Sequence, residues 1–75
     1  MTIKLQGIRG EQEAKKVKNL KVGDIVKWNY GYTDEVVELL PSKTGKTIEC
    51  MLKSRHDGII RSRKMRSERL VAIGS

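Results

Sequence analysis

The sequence is poor in the residues on which disulfide-bonded, metal-binding and membrane proteins depend. Cys50 is the single cysteine, so no internal disulfide can form, and a reducing cytoplasm is the expected compartment. One cysteine and one histidine, His56, are too few for an ordinary zinc site. No run approaches the roughly 18 apolar residues of a membrane span, and the first residues lack the apolar core of an export signal. We therefore expect a cytoplasmic protein that needs no cofactor, metal or membrane.

Aromatic residues are also scarce, and those present lie close together. Phenylalanine is absent, and Trp28, Tyr30 and Tyr32 are the only aromatic residues. We expect Trp28 to face the core. The tyrosines have three interpretations: stacking on nucleobases, part of an aromatic cage for a cationic group, or simply the flanks of a turn. No pairing of acid with base, or of nucleophile with base, can be assembled with any specificity, so the sequence predicts no enzyme.

The positive charge is strong and uneven. Sixteen lysines and arginines against nine acidic residues give a net +7 in 75 residues, a length that fits one domain. Residues 55–69 form the densest cationic stretch. Such a field attracts polyanions, although a solubilising surface is an equally simple interpretation.

The hydrophobic pattern predicts a mainly β protein. Strands are expected at 25–30, 35–40, 47–55, 59–65 and 70–73, since short apolar runs alternate with turn residues. In the third of these, Ile48, Cys50 and Leu52 share one face, which is typical of a half-buried antiparallel strand. These five strands predict an SH3-like barrel over residues 20–75, in which closure protects the strand edges.

Residues 1–19 are expected to form an N-terminal arm, in which residues 2–8 fit a short strand or a semi-ordered segment and residues 11–19 fit a short helix. Glu11 with Lys15, and Gln12 with Lys16, have the four-residue spacing that supports a helix. The apolar stripe of such a helix is thin, since it consists only of Ala14 and Val17.

Two turns separate the later strands. Residues 56–58 end in Asp57-Gly58, a strong hairpin signal. Residues 43–47 (Lys-Thr-Gly-Lys-Thr) partly match a phosphate-binding loop, but the first glycine of that motif is missing and no helix follows. We therefore interpret this run as a hairpin turn.

One segment resembles a known superfamily. Residues 20–28 (Leu-Lys-Val-Gly-Asp-Ile-Val-Lys-Trp) resemble the opening strand of SH3-like small barrels of the KOW and Tudor-like groups, and residues 69–73 resemble their closing strand. The resemblance covers about residues 20–73 and rests on generic motifs. The KOW pattern would place a second glycine a few residues after Gly31, where this chain has Thr33-Asp34-Glu35.

The first functional hypothesis is nucleic-acid binding, to RNA or DNA, through the hairpin of the third and fourth predicted strands. Alternation places Arg61 and Arg63 on one side and Lys64 and Arg66 on the other. The candidate contact residues are Lys53, Arg55, Arg61, Arg63, Lys64 and Arg66 for phosphates, with Tyr30 and Tyr32 for stacking. The alternative is a protein-interaction adaptor that holds an acidic partner through its loops or an exposed edge, as a monomer or a homodimer.

Overall fold

The protein forms one antiparallel sheet of seven strands. The computed structural model describes residues 1–74, so Ser75, the last residue of the predicted barrel, lies outside the described residues. The strands are β1 (Thr2–Lys4), β2 (Glu11–Lys16), β3 (Ile25–Lys27), β4 (Thr33–Pro41), β5 (Thr47–Ser54), β6 (Ile60–Arg66) and β7 (Leu70–Gly74). Their order across the sheet is β1-β2-β7-β3-β4-β5-β6. The predicted mainly β class is confirmed.

The predicted N-terminal helix is wrong, and so is the count of five strands. All five predicted strands are present with shifted ends, but the first nineteen residues add β1 and β2. Strand β2 pairs with β7, with Ala14 opposite Ala72 and Lys16 opposite Leu70. An isolated helix of about nine residues is marginal in water, whereas this ladder satisfies the backbone and buries Ala14.

Helical structure in the described chain is limited to two 3-10 turns, Val17–Asn19 and Asn29–Gly31. Both are far too short to cross a lipid bilayer. The first turn still carries a core residue, since Val17 is fully buried.

The predicted closed barrel is also wrong, because the sheet stays open between its edge strands β1 and β6. In β6 the positions on the core side of the sheet include Arg61 and Arg63, which lie opposite Leu52 and Cys50. Burying these two guanidinium groups beneath a closing strand would be costly without paired charges. Six of the seven residues of β6 are accordingly exposed.

The core lies on the concave side of the curled sheet. The predicted inward face of β5 is confirmed, since Ile48, Cys50 and Leu52 are all buried. Val26 and Val36 are fully buried beside them, and Trp28 is half-buried and packs against this cluster. The remaining buried members are Val17, Leu20, Met65 and Val71.

Candidate nucleic-acid interface

The register of β5 with β6 divides the predicted phosphate-binding residues between two faces. Arg61 and Arg63 lie on the concave side, as the opposition to Leu52 and Cys50 requires. Lys53, Lys64 and Arg66 occupy the alternate, convex positions. The sheet therefore does not gather the predicted residues into one surface.

The convex face of β4, β5 and β6 is electrically mixed. Lys53 lies opposite Glu35 on β4, and Lys64 lies opposite Glu49 on β5. Glu38 adds a third carboxylate to the same face, opposite Met51. A polyanion approaching this face would meet these three carboxylates beside the two lysines, so Lys53 and Lys64 do not form a phosphate-binding surface by themselves.

On the concave side, Arg63 lies over the only tryptophan. Its guanidinium carbon is 4.6 Å from the centroid of the Trp28 ring, which is a cation–π contact. The indole Nε1 of Trp28 donates a hydrogen bond of 2.7 Å to Oδ2 of Asp34. The aromatic ring is thus held by Asp34 at its edge and covered by Arg63 on its face.

Arg61 is occupied by the protein's own acid. Its Nη2 donates to Oδ2 of Asp57 at 3.0 Å, across the hairpin turn. This hydrogen bond raises the pKa of Arg61, with a smaller contribution from the charge of Asp34. The same hydrogen bond lowers the pKa of Asp57 to about 2. Arg61 is therefore poorly placed to serve as a free phosphate ligand.

The tyrosines lie at the same end of the sheet as Trp28. The Tyr32 ring meets the His56 ring edge-on, with centroids 6.1 Å apart. Tyr30 has a left-handed backbone (φ 64°), and its N–H donates to the carbonyl of Gln6 at 2.7 Å. Both tyrosines are more than half exposed. We call Trp28, Tyr30, Tyr32 and His56 the aromatic end.

Arg55 joins the aromatic end through its backbone. Its N–H donates to the carbonyl of Thr33, the residue that follows Tyr32. The structure thus places Arg55, Arg61 and Arg63 at the end of the sheet that carries the tyrosines. Asp34 and Asp57 lie among these cations and offset most of their charge.

The opposite end of the sheet brings together three segments that are distant in sequence. These are the β4–β5 turn, the β6–β7 turn and the 3-10 turn Val17–Asn19. Ser67, which is buried, joins them: its N–H and its Oγ both donate to the carbonyl of Lys46, at 2.9 and 3.2 Å. Its carbonyl accepts the N–H of Lys18 at 3.0 Å. Three cationic turns are therefore fixed to one another by one serine.

This end carries most of the net charge of the chain. We call it the cationic pole and define it by Lys16, Lys18, Lys43, Lys46, Arg66, Arg69 and the carboxylate of Glu68. Six cations and one anion give the cationic pole a net +5 of the chain's +7. Glu68 binds Lys16 and Lys18 at 2.7 Å each, and these hydrogen bonds lower its pKa to about 2.

The surface of the cationic pole is concave and lined partly by hydroxyl groups. A depression of about 470 Å³ is lined by Lys46, Thr47, Arg66, Ser67 and Glu68. A second, of about 290 Å³, also touches Thr47, and its polar lining includes Ser42, Lys64 and the carboxylate of Glu49. Lysine, arginine and hydroxyl groups are the side chains that most often contact nucleic-acid phosphates.

Of the cationic pole, the sequence predicts Arg66 as a contact residue and includes Arg69 in the cationic stretch 55–69, but it does not predict the four lysines. It predicts a helix for Lys16 and Lys18, and a hairpin turn with no further role for Lys43 and Lys46. That turn is confirmed, since the chain reverses between Pro41 and Thr47. The only sign of the cationic pole in the sequence is that several turn segments are rich in lysine and arginine. The sequence does not show which of these turns lie close together in the folded chain.

Cys50 and His56 lie in opposite environments. Cys50 is fully buried, and burial raises the pKa of its thiol, which keeps it protonated and unreactive. His56 is exposed in the β5–β6 turn beside Tyr32. Within residues 1–74 no cluster of histidine, cysteine and acidic side chains has metal-binding geometry.

Comparison of this chain with protein-family models, with curated proteins and with solved structures finds no match. The resemblance of residues 20–28 to SH3-like barrels therefore stays a prediction. Any functional conclusion has to come from the geometry of the chain itself.

Proposed function

We propose that the protein is a small binding module for nucleic acid, and that its cationic pole makes the principal contacts. The observation that carries this proposal is the concentration of a net +5 at one end of the sheet, on three turns tied together by Ser67. The class of ligand is the one that the sequence predicts. The location differs, since Arg66 is the only member of the predicted set within the cationic pole.

The pairing of the charges supports a polyanion as the ligand. Lys16 and Lys18 are engaged with Glu68, but Lys43, Lys46 and Arg66 form no ion pair within the part of the chain that the structure describes. All three of these side chains are exposed. When unpaired lysines and arginines neutralise phosphates, the nucleic acid releases its condensed counterions, which makes binding sequence-independent and sensitive to salt.

The aromatic end would act separately from the cationic pole. Strand β5 runs between them, and its eight residues span about 23 Å at the usual rise of a strand. Stacking on Tyr30 or Tyr32 would therefore add a second contact to an oligonucleotide already held at the cationic pole. It would not replace the phosphate contacts.

The test is fluorescence anisotropy with a labelled 20-base-pair DNA and a single-stranded RNA, over a series of salt concentrations. The variant Lys46→Gln/Arg66→Gln removes two unpaired cations from the cationic pole. We expect weaker binding and, for duplex DNA, a salt slope shallower by about 1.8, because each phosphate contact contributes about 0.9.

Two variants with the same loss of charge serve as controls. Arg61→Gln/Arg63→Gln removes two cations from the aromatic end, and Lys4→Gln/Arg9→Gln removes two from the exposed β1–β2 hairpin. Both should keep most of the wild-type affinity and slope. An equal loss in all three variants would indicate a general effect of net charge, and no binding by the wild type would remove the proposal.

A further inference from the structure

We infer that the free edge of β6 binds an extended acidic peptide segment by strand addition. Strand β6 is the last strand of the sheet and pairs only with β5 among the described residues. It is seven residues long, and its pairing with β5 is continuous, without a bulge. The opposite edge, β1, has only three residues. The inference does not rest on the nucleic-acid binding proposed above, and the two surfaces share one residue, Arg66.

The hydrogen bonds at the two ends of the ladder show which backbone groups of β6 are free. Ser54 N–H donates to the carbonyl of Ile59, and Ser67 N–H donates to the carbonyl of Lys46. Both pairs follow the same register as β5 with β6, so odd-numbered residues from 59 to 67 face β5. Ile60, Ser62 and Lys64 therefore direct their N–H and C=O groups away from the sheet. They present a ready template for another strand.

The side chains of this edge select the partner. Ile59 and Ile60 are both about half exposed at the start of the strand. They are followed by two exposed cations on the convex side, Lys64 and Arg66. Arg61 and Arg63 follow on the concave side, where Asp57 already pairs with Arg61 and the Trp28 ring lies under Arg63. An added strand would meet an apolar position first and cationic positions after it. Opposite charges across a strand pair are favourable, so an acidic segment with an apolar end is the complementary partner.

A second copy of this chain does not fit the same edge. Pairing of two β6 strands would bring four cations of each copy into one short ladder. Like charges directly opposite one another destabilise a strand pair. Lysine and arginine on an edge are a common device against such self-association. The cations of β6 thus oppose pairing with the β6 strand of a second molecule, while its free backbone groups can still pair with an acidic strand.

The probe is a fluorescein-labelled octapeptide of alternating glutamate and valine, measured by anisotropy and by amide hydrogen exchange. We expect binding to slow exchange at Ser62 and Lys64, whose N–H groups are free, and to change it little at Arg61 and Arg63, whose N–H groups face β5. Uniform protection, or none, would overturn the inference. Protection of the same amides by an oligonucleotide instead of the peptide would overturn it as well.

A backbone variant separates strand addition from simple charge attraction. Ser62→Pro removes one free N–H and leaves the hydrogen bonds to β5 in place. Proline is tolerated at such positions of an edge strand, where the N–H faces away from the sheet. We expect it to weaken peptide binding by at least about tenfold. The variant Ser62→Ala should bind like the wild type. Nucleic-acid binding at the cationic pole should be unchanged in both, so the two proposals can fail separately.

A second measurement is independent of the folding of Ser62→Pro. Two octapeptides of the same charge are compared, each with N-methyl groups on a different set of alternate residues. In one of them the methyl groups replace the N–H groups that would donate to the edge. One set of alternate N–H groups points toward β6 and the other set points away. We expect methylation of the set that points toward β6 to abolish binding to the wild-type protein, and methylation of the other set to preserve it. Equal binding of both peptides would contradict strand addition.

Discussion

Replacing Glu68 with glutamine should strengthen nucleic-acid binding. Glu68 is the carboxylate of the cationic pole and holds Lys16 and Lys18 at 2.7 Å each. Its pKa is lowered to about 2 by these two hydrogen bonds, so it is fully ionised at neutral pH. The change Glu68→Gln removes a negative charge from the surface that is proposed to meet phosphates and releases both lysines.

The magnitude follows from the charges. A unit charge about 7 Å from a phosphate in water changes affinity about threefold, somewhat less after screening by salt. If Lys16 and Lys18 each gain a phosphate contact, the salt slope for duplex DNA should become steeper by up to about 1.8. Glu68 is exposed, so the fold should remain intact, which circular dichroism would show.

The assay is anisotropy against the same 20-base-pair DNA, with Glu38→Gln as the control. Glu38 is exposed on the convex face of β4, and its replacement raises the net charge by the same amount. Only Glu68→Gln should show tighter binding together with a steeper slope. Equal gains in the two variants, or no gain in either, would refute the role given to the cationic pole.

Two further predictions concern stability. Gly7→Ala should lower the free energy of unfolding by about 2 kcal/mol or more in urea titrations, because a Cβ there would overlap Cδ1 of Tyr30 and the backbone has a φ of +75°. Gly10→Ala, at a φ of +76° with no atom within 4 Å, should cost less, and an equal cost would contradict the contact. The lowered pKa values of Glu68 and Asp57, both about 2, mean that their stabilisation is complete above the ordinary values of 4.5 and 3.8 and is lost as pH falls toward 2. Carboxyl chemical shifts in an acid titration should show both midpoints near 2, and ordinary midpoints would contradict the ion pairs.

Strand β5 could be predicted from the sequence because its pattern has a single interpretation. Ile48, Cys50 and Leu52 alternate with polar residues, and the neighbouring Asp57-Gly58 turn fixes the hairpin partner. The same alternation predicted that Arg61 and Arg63 share one side, as they do in the register with β5. Local periodicity carries this information because the side-chain period of a strand is two.

Strand β2 could not be predicted from local pattern. Residues 11–16 carry polar and charged side chains at the four-residue spacing of a helix. They form a strand because they pair with β7, which is far away in the sequence. In the structure Lys15 binds Asp24 and Lys16 binds Glu68, so neither predicted intrahelical pair forms. Tertiary pairing overrides a weak helical preference here.

The cationic pole lay beyond sequence reasoning for a related reason. Its charges come from three turns, and their proximity depends on the hydrogen bonds of Ser67 to Lys46 and Lys18. No local pattern marks a serine for that role. Sequence density pointed instead to Arg61 and Arg63, which the fold places beside Asp57 and Trp28.

The most direct test of the central claim is a titration of ¹⁵N-labelled protein with the 20-base-pair DNA, followed by two-dimensional NMR. The account predicts that the largest amide shift changes fall on Lys18, Lys46 and Ser67 in the three joined turns, and that they diminish as salt is added. Changes confined to Tyr32 and Arg55 at the aromatic end, or a spectrum unaffected by DNA, would contradict it.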